Sequence, residues 1–469
     1  FQNAAIISMD GVGEWTTLGI GVGEENNITM IKKINFPHSL GLFYSAFTHY
    51  CGFKVNSGEY KLMGLAPYGE PIFVNKILNH MIDIKEDGSF ALNMKYFDYD
   101  LNENMINESF VELFQNPRRN SETELTKFYM DIASSIQKVL EIILVKIANH
   151  VYQITKKNNL CLAGGVALNC VANSKIFDKS NFKNIWIQPA SGDSGGSLGC
   201  SLNAWYQYKD NKKSILPQNS LDHQSGSLLG SEYTNDQIRL FLDKRKIKYD
   251  YFDNDSLSKK TAILLSESKI IGRFYGKMEF GPRALGNRSI LANPLDKNIQ
   301  EKLNMKIKFR ENFRPFAPAV MYDKLDKYFD FNEKNKSQMS PYMLFTAQVK
   351  EHIKSIGSEN WRDKLKNNIS PIPGVTHVDG SARIQTVHPE INIEFYNLIK
   401  NFYEITQCPI LINTSFNIRG EPIVESPNDA YKCFINTGID ILILGNYLIS
   451  KNNMQFEVDN NYIESFDLD

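Results

Sequence analysis

The stretch from Arg273 to Arg314 contains the residues best suited to chemistry. It holds ten lysines or arginines and four acidic residues, a local balance of +6 in a chain whose formal net charge is −1. Turn residues such as Gly281-Pro282 and aromatic residues such as Phe309 and Phe313 separate the cations. Arginines held between turns and rings can bind a phosphate or carboxylate in a fixed orientation. The pattern predicts an anion site, and a solvated or RNA-binding surface is the alternative.

Several cationic and polar side chains in the second half of the chain could form this anion site. Lys306, Lys308 and Arg310 alternate as they would on one face of a strand or loop. Asn413 and Ser415 follow an apolar run within the sequence NTSFN. The complete candidate set is Arg283, Lys306, Lys308, Arg310, Arg314, Arg383, Asn413 and Ser415. Together they predict a phosphate cage with a polar floor, suited to a small charged substrate.

Two carboxylates and one lysine are candidates in the first half of the chain. Asp10 and Asp193 each follow a strand-like run at a glycine-rich turn, where a carboxylate can hold a metal or cap its own turn. Lys61 precedes the turn around Gly64 and could reach phosphate oxygens or lie exposed on a helix. The chain has no P-loop, GxGxxG, HExxH or CxxC sequence. Structural and ligand roles are therefore both open for these three residues.

Hydrophobic periodicity indicates the elements that must position the first-half candidates. Residues 4–34 predict a hairpin or meander with Asp10 at a turn, followed by a helix over 40–50. A short helix is predicted within 57–71, and residues 80–120 are predicted to be a polar, irregular surface excursion. The longest helix is predicted over 122–154 because apolar residues recur there at steps of three and four.

Two strand–glycine–helix units follow, at 159–177 and 184–206. Such units predict parallel strands with ligands at their carboxyl ends. The glycines, Gly164 and Gly165 in the first unit, let the backbone approach a ligand, and a helix N-terminus favours an anion. A tight structural turn would have the same sequence, so nucleotide binding and a structural role are both open here.

Residues 207–235 are predicted to be an interdomain linker. A second α/β domain follows, with polar loops near 332–342 and at 351–376. Its predicted elements are helices over 235–245, 255–267, 390–404 and 427–437 and strands over 247–252, 269–274 and 440–444, with strand-like sequence in 377–387 and 408–426. The basic stretch lies inside this second domain.

Composition limits the class of protein. The 469 residues suggest two or three domains, and 42% hydrophobic with 22% charged residues is typical of a soluble globular chain. The near-zero net charge argues against a protein that coats nucleic acid or an anionic membrane, and no apolar run reaches the roughly 18 residues of a membrane span. Six scattered cysteines predict reduced core residues of a cytoplasmic protein.

Nine sequence motifs resemble the O-carbamoyltransferases of the nodulation-protein-U type. They are SMDGVGEWTT, PHSLGLFYSAFTHYCGF, EYKLMGLAPYG, LAGGVALNCVAN, PASGDSGGSLG, KMEFGPRALGNRSIL, KIKFRENFRPFAP, HVDGSARIQTV and NTSFNIRGEPIV. This family includes enzymes that carbamoylate antibiotics of the tobramycin, cephamycin and ansamycin classes. The resemblance runs in order from the first residue to about Tyr447 and is far more specific for the family than for the acceptor.

The resemblance implies an α/β protein with two domains. Residues 1–215 would form part of an actin-like ATPase (RNase H-like) domain, and residues 225–469 a YrdC-like α/β domain. The YrdC-like domain would convert carbamoyl phosphate and ATP, bound with Mg²⁺, into carbamoyl-adenylate. The actin-like domain would then transfer the carbamoyl group to a hydroxyl of a sugar or natural-product acceptor and release AMP.

The resemblance also implies roles for individual residues. Arg283, Lys308 and Arg314 would be catalytic at the carbamoyl-phosphate and ATP-phosphate positions. Substrate or nucleotide contacts are expected from Lys61, Gly164, Gly165, Asn169, Arg310, Arg383, Asn413 and Ser415. Asp10 and Asp193 would bind a divalent metal, with iron among the candidates.

The family's two metal-binding histidines, in an HxxxH-type motif, belong before the strand in which this chain begins. We therefore expect a fragment or processed chain of a longer protein; the alternative is a short form without metal binding. As supplied, the two aspartates would make an incomplete, weak metal site.

Two other functions are kept open. One is carbamoyl or threonylcarbamoyl transfer to tRNA or to a maturation protein, and the other is a degenerate relative that binds nucleotide without transfer. The expected partners are carbamoyl phosphate, ATP and a hydroxyl-bearing small molecule. We expect neither a membrane nor nucleic acid as a partner, and a homodimer is left open.

Overall fold

The computed structural model describes residues 1–102, 104–213, 221–330, 340–353, 361–366, 369–451, 459 and 461–466. The chain divides into two compact units, the first built mainly from residues 1–215 and the second mainly from residues after 215. Both units combine helices with β-sheet, so the predicted α/β class is confirmed. None of the helices in the described part of the chain combines the length and the apolar composition that a membrane span requires.

The described residues of the first unit before position 204 form seven α-helices and seven strands. The strands are β1 (Asn3–Met9), β2 (Thr16–Glu24), β3 (Asn27–Asn35), β4 (Ile82–Ile84), β5 (Phe90–Leu92), β6 (Asn159–Ala163) and β7 (Asn184–Ile187). The helices are α1 (Leu40–Tyr50), α2 (Glu59–Leu65), α3 (Val74–His80), α4 (Glu108–Phe114), α5 (Lys127–Thr155), α6 (Cys170–Lys179) and α7 (Ser194–Asn203).

The main sheet of the first unit has the strand order β3-β2-β1-β6-β7. β1, β2 and β3 form the predicted antiparallel meander, whereas β6 runs parallel to β1 and β7 runs parallel to β6. The parallel arrangement predicted from the two strand–glycine–helix units is thus confirmed. Because β1, β6 and β7 run the same way, the turns at Asp10, Gly164 and Asp193 follow their carboxyl ends.

The prediction of an irregular surface over 80–120 is wrong. This segment contains β4, β5 and α4, and its aromatic residues Phe97, Phe110 and Phe114 are buried. Phe110 packs on Phe47 of α1 with ring centroids 5.1 Å apart. The cluster could not be predicted from the sequence because polar residues separate its aromatic residues without a regular period.

The long helix is confirmed as α5, although it begins at Lys127 and not near residue 122. The apolar residues that predicted it are all buried: Ile132, Ile136, Val139, Ile143 and Ile147. Burial of one continuous apolar stripe stabilises this helix against the sheet far more than helix propensity does.

The second unit contains most of the remaining elements. The strands are β8 (Asp250–Tyr251), β9 (Ile271–Phe274), β10 (Arg288–Ala292), β11 (Ala317–Met321), β12 (Phe329–Asp330), β13 (Phe345–Val349), β14 (Ser381–Val387), β15 (Ile410–Ser415), β16 (Ile441–Leu444) and β17 (Tyr447–Ser450). The helices are α8 (Asn235–Lys244), α9 (Asn254–Ser266), α10 (Ile299–Leu303), α11 (Leu325–Tyr328), α12 (Trp361–Lys366), α13 (Ile393–Thr406) and α14 (Pro427–Ile435), of which α12 belongs to the first unit.

The second sheet has the order β12-β13-β14-β11-β15-β10-β9-β16-β17-β8. β10 runs antiparallel to both β9 and β15, while β11 runs antiparallel to β15 and parallel to β14. The carboxyl end of β15 therefore lies beside the amino ends of its neighbours β10 and β11, and the amino end of β14 lies at the same edge of the sheet. This common edge receives the loops that contain most of the basic stretch.

The linker predicted over 207–235 is wrong in its second part. Described residues 221–231 belong to the second unit, where the Phe280 N–H donates to the Ser227 oxygen at 2.6 Å and the Gly230 N–H donates to the Met278 oxygen at 2.9 Å. A serine- and glycine-rich composition is found in packed turns as well as in linkers, so composition alone does not distinguish the two. The loop predicted near 332–342 falls largely outside the described residues. The loop predicted at 351–376 is described except for 354–360 and 367–368, and it contains the helix α12, so that prediction is wrong in this part.

Candidate functional site

Two arginines of the basic stretch hold the loop between β9 and β10 in place. The Arg288 guanidinium lies 3.6 Å from the centroid of the Phe274 ring and donates to the Tyr275 oxygen at 2.9 Å. Arg273 donates to Asn287 Oδ1 at 3.1 Å. Burial lowers the pKa of both guanidinium groups to about 10. These two cations are therefore structural, and they fix the loop that carries Arg283.

The buried Glu279 carboxylate folds the same loop back on itself. Its Oε1 accepts hydrogen bonds from the backbone N–H groups of Leu285 at 2.7 Å and Asn287 at 2.8 Å. A carboxylate that accepts several backbone N–H groups rigidifies a loop strongly. Sequence reasoning missed this role, although Glu279 is one of only four acids in the stretch.

A buried amide network joins this loop to β14 and β15. Asn413 Nδ2 donates to the Ala284 oxygen at 3.2 Å and to Gln385 Oε1 at 2.6 Å, and Gln385 Nε2 donates to the Leu285 oxygen at 2.7 Å. Asn413 Oδ1 is buried and has no hydrogen-bond partner among the described residues. The structure thus brings the loop of Arg283 against Asn413.

Arg383 lies in β14, two residues before Gln385, and is half-buried. Alternate residues of a strand share a face, so Arg383 and Gln385 lie on the same face of β14. Gln385 was missed by sequence reasoning, and this spacing from Arg383 was the signal that could have identified it. Arg283 is likewise half-buried, in the loop that Asn413 and Gln385 contact.

Lys308 is buried against the end of β15. Its ammonium donates to Ser415 Oγ at 3.2 Å, to the Asn417 oxygen at 2.8 Å and to Asn417 Oδ1 at 2.8 Å, and it also contacts the Ser415 oxygen. Burial, with help from Arg310 and Arg314, lowers the pKa of Lys308 well below its usual range. Because an ammonium has three protons, these four oxygens occupy its donors. Lys308 and Ser415 therefore meet, with Lys308 bound to protein oxygens.

The prediction that Lys306, Lys308 and Arg310 share one face is wrong. Residues 304–308 form a π-helical turn, and Phe309 adopts a left-handed conformation with φ 47°. Lys306 is consequently exposed while Lys308 is buried. A helical turn that ends in a left-handed residue breaks the alternation that a strand would have preserved.

Arg310 and Arg314 are joined through the buried Asn304. Arg310 Nε donates to Asn304 Oδ1 at 2.7 Å, and Asn304 Nδ2 donates to the Arg314 backbone oxygen at 3.1 Å. The Arg310 guanidinium also lies 4.9 Å from the centroid of the Phe316 ring. Arg314 is buried and its Nη1 lies 3.9 Å from Glu311 Oε2. The interleaved aromatic residues thus position guanidinium groups as the sequence pattern indicated.

In the first unit, Asp10 lies against the turn at Gly164-Gly165. Asp10 Oδ1 accepts the Gly11 N–H at 2.8 Å, and a Cβ added to Gly165 would lie 3.1 Å from that same oxygen. A Cβ added to Gly164, which has φ 87°, would lie 2.0 Å from the Met9 oxygen. No other residue type fits at Gly164 without displacing backbone. The structure thereby brings Asp10 and the predicted nucleotide loop together.

Asn169 and Lys61 have surroundings that the sequence did not indicate. Asn169 caps α6 by accepting the Ala172 N–H at 3.0 Å, and its Nδ2 donates to Gln137 Oε1 at 3.0 Å. Lys61 is 1% exposed and lies 5.8 Å from the centroid of the Phe53 ring, so the exposed alternative for Lys61 is wrong. Asn169 is thus engaged in helix capping and core hydrogen bonds.

The two predicted metal aspartates do not form a metal site from the described residues. Asp193 is exposed at the start of α7, and Asp10 is engaged with its own turn. Within the described part of the chain, no group of three or more His, Cys, Asp or Glu side chains could hold a metal ion. Two carboxylates alone do not meet the usual ligand number of a transition metal.

Comparison with known proteins identifies the family. A family model described as carbamoyltransferase N-terminus matches residues 1–202, and one described as carbamoyltransferase C-terminus matches residues 262–451. An uncharacterized protein of Synechocystis sp. is 49% identical over 477 residues, which cover 100% of this chain and 76% of that protein.

Two nodulation proteins are also similar. Nodulation protein NolO of Bradyrhizobium diazoefficiens is 32% identical over 96% of this chain and 76% of its own length. Nodulation protein U of Sinorhizobium fredii is 31% identical over 63% of this chain and 47% of its own length. The resemblance that the sequence motifs indicated is confirmed. The chain belongs to the carbamoyltransferase family of enzymes.

Proposed function

We propose that this chain is an ATP-dependent O-carbamoyltransferase that forms carbamoyl-adenylate and passes the carbamoyl group to a hydroxyl acceptor. The observation that carries the proposal is the edge of the second sheet, where the loop of Arg283 contacts Asn413 and where Lys308 contacts Ser415. Membership of the carbamoyltransferase family supplies the identity of the transferred group.

Activation is assigned to the YrdC-like domain expected over residues 225–469, which corresponds mainly to the second unit. Water converts carbamoyl phosphate to carbamate and phosphate. A carbamate oxygen then attacks the α-phosphorus of ATP, and the bond to the bridging oxygen breaks as pyrophosphate leaves with the electron pair. The barrier is mainly repulsion between anions, so fixed cations lower it, and Mg²⁺ bound to ATP adds to this effect.

The side chains assigned to the reacting anions are those with guanidinium groups at this edge: Arg283, Arg310, Arg314 and Arg383. One preorganised donor is worth roughly 2.7–4 kcal/mol of transition-state stabilisation. Lys308 has a different role in this proposal, because its protons already bind Ser415 and Asn417. Through these hydrogen bonds it holds Ser415 and Asn417 in place beside the site.

Asn413 is assigned to recognition of the carbamoyl amino group. Its Nδ2 is used by Ala284 and Gln385, whereas Oδ1 is buried without a hydrogen-bond partner among the described residues. A buried acceptor left unsatisfied costs about 1–3 kcal/mol, and a donor on the substrate would remove this cost. The carbamoyl NH₂ group is such a donor, and the methyl group of an acetyl substrate is not.

Transfer is assigned to the first unit, over residues 1–215. The acceptor hydroxyl oxygen would attack the carbamoyl carbon, lose its proton and release AMP. The antiparallel meander followed by two parallel strands supports an actin-like (RNase H-like) assignment, and the Gly164-Gly165 turn beside Asp10 supports a phosphate-bearing ligand. The second unit is assigned a YrdC-like fold on the basis of the family resemblance.

The test is release of pyrophosphate by the full chain supplied with ATP, Mg²⁺ and carbamoyl phosphate. We expect release that depends on carbamoyl phosphate, and at least about tenfold less with acetyl phosphate because the amino group is absent. Folded protein that releases no pyrophosphate would contradict the adenylation proposal. Equal rates with both substrates would contradict the role given to Asn413.

A further inference from the structure

The described part of the C-terminal segment, residues 459 and 461–466, lies beyond the carbamoyltransferase C-terminus match, which ends at residue 451. It nevertheless packs on the second unit. The Asp459 N–H donates to Asn436 Oδ1 at 2.8 Å, and Phe466 packs against the hydrophobic core. Tyr462 is 6% exposed, so this segment is anchored by a buried aromatic side chain.

Tyr462 makes a specific polar contact inside the unit. Its hydroxyl donates to Glu421 Oε1, while Glu421 Oε2 accepts the Ile418 N–H at 2.8 Å. The Glu421 backbone oxygen accepts from Asn417 Nδ2 at 2.6 Å. The carboxylate and the backbone of Glu421 therefore close the turn over residues 417–421 from both sides.

The same turn forms part of the site. Asn417 Oδ1 accepts from Lys308 Nζ at 2.8 Å and from Ser415 Oγ at 2.7 Å. The Arg419 N–H donates to the Lys308 oxygen at 3.2 Å. Hydrogen bonds between described residues thus connect Tyr462 to Lys308 through Glu421 and Asn417. Together they form one contiguous polar network.

We propose that Tyr462 is a positioning residue for the donor site: its hydroxyl holds the Glu421 turn and thereby orients Asn417, Lys308 and Ser415. The inference rests on the proposed function for the identity of the ligand, carbamoyl phosphate. Tyr462, which lies outside the matched family region, is then a component of the site.

The physical basis is the environment of the Glu421 carboxylate. Burial raises the pKa of Glu421, and the hydrogen bonds from Tyr462 and Ile418 oppose that shift. Loss of the Tyr462 hydroxyl leaves Oε1 without this donor in a poorly hydrated place, which favours opening of the turn. An opened turn withdraws two of the four oxygens that bind Lys308, since both belong to Asn417.

The kinetic test compares Tyr462→Phe with wild type and with the control Tyr249→Phe. Tyr249 is partly buried and also donates to a carboxylate, Asp243 Oδ1 at 2.9 Å, but this hydrogen bond is exposed. For Tyr462→Phe we expect the KM for carbamoyl phosphate to rise about tenfold, the effect of losing one charge-assisted hydrogen bond. The kcat should stay within about twofold of the wild-type value. A merely structural role would lower the active fraction, and hence kcat, without changing KM. The control should retain wild-type constants.

Hydrogen exchange of the full chain provides a measurement that does not need the reaction. The amides of Ile418 and Arg419 should exchange at least about tenfold faster in Tyr462→Phe and at the wild-type rate in Tyr249→Phe. If wild type releases no pyrophosphate, the proposed function fails while the exchange result still decides whether Tyr462 orders the turn. Unchanged exchange in Tyr462→Phe would overturn the inference.

Glu421→Gln is the second variant and keeps the inference testable if Tyr462→Phe does not fold. The glutamine side chain preserves size but removes the charge that strengthens both hydrogen bonds. We expect the same rise in KM and the same faster exchange at Ile418. Wild-type behaviour of a folded Glu421→Gln variant would overturn the inference.

Discussion

At the residue scale, burial divides the cations of the basic stretch into different roles. Arg273 and Arg288 use backbone and amide oxygens inside the second unit, and Lys308 binds Ser415 and Asn417. Of the remaining guanidinium groups, that of Arg310 lies 4.9 Å from the centroid of the Phe316 ring and donates to Asn304, and Arg314 Nη1 lies 3.9 Å from Glu311 Oε2. A guanidinium that stacks on a ring is held in one orientation, and its planar fork matches the geometry of a phosphate or carboxylate.

Arg314 is the residue at which this distinction is best tested. We expect Arg314→Ala to lower carbamoyl-phosphate-dependent pyrophosphate release by at least about 100-fold, the effect of removing one preorganised donor. The fold should persist, because Gln300 Nε2 and Asn304 Nδ2 bind the backbone oxygen of residue 314 and not its side chain. Rate measurements combined with thermal unfolding check both statements.

The control for this prediction is Arg239→Ala. Arg239 is exposed on α8 and pairs with Asp236 at 3.2 Å, an arrangement that contributes little to stability. It should retain wild-type release. Wild-type activity of Arg314→Ala, or an equal loss in the control, would remove Arg314 from the anion site.

At the element scale, the start of β14 depends on one carboxylate. Asp379 Oδ1 accepts from the Ser381 N–H at 3.0 Å and from Ser381 Oγ at 2.7 Å, and His377 Nδ1 lies 3.6 Å away. Burial raises the pKa of Asp379, but the neighbouring His377 and the hydrogen bonds from Ser381 lower it by more, so that it lies well below its ordinary value of 3.8. This turn leads into the strand that carries Arg383.

The depressed pKa of Asp379 predicts a pH-dependent contribution to stability. An acidic group whose pKa is lower in the folded than in the unfolded chain stabilises the folded state at pH values above its unfolded pKa. This stabilisation is lost as the pH falls through the folded pKa. We expect Asp379→Ala to lower the free energy of unfolding by about 1–3 kcal/mol at pH 7. The difference from wild type should shrink once the pH falls below about 4–5.

Urea unfolding at pH 7, 5 and 3 measures this difference. Asp236→Ala, at an exposed position on α8, is the control and should change the free energy of unfolding by less than about 0.5 kcal/mol. A difference between wild type and Asp379→Ala that stayed constant from pH 7 to 3 would contradict the role of the ionised carboxylate.

At the scale of the whole molecule, the chain has two compact units, each with its own sheet. All four tryptophans, at positions 15, 186, 205 and 361, belong to the first unit. Tryptophan fluorescence therefore reports unfolding of the first unit, whereas calorimetry reports both units. A ligand that binds the folded form of one unit stabilises that unit by mass action.

We expect inorganic pyrophosphate to raise the unfolding midpoint of the second unit. Calorimetry should detect this shift, whereas tryptophan fluorescence, which reports the first unit, should not. At a ligand concentration of 100 times Kd, the stabilisation should be about 2.7 kcal/mol. Sulfate at equal ionic strength is the control for general salt effects. A shift seen equally by fluorescence would assign pyrophosphate to the first unit and contradict an anion site confined to the second.

Several features were predictable because they depend on local order along the chain. Periodicity predicted α1 and α5, and the two strand–glycine–helix units predicted parallel strands with Asp10 close to the turn at Gly164. The aromatic cluster around Phe110 and the packing of 221–231 were not predictable. They depend on partners distant in sequence, and composition does not identify such partners.

The sequence by itself determined the family, the α/β class and the positions of the polar and cationic candidates. Only the tertiary structure decided which of them are structural and which face the same sheet edge. Burial and hydrogen-bond partners come from distant segments, as between Ala284 and Asn413, which are 129 residues apart. Residue type sets what a side chain can do, and its partners in the folded chain set which of those capacities remains available.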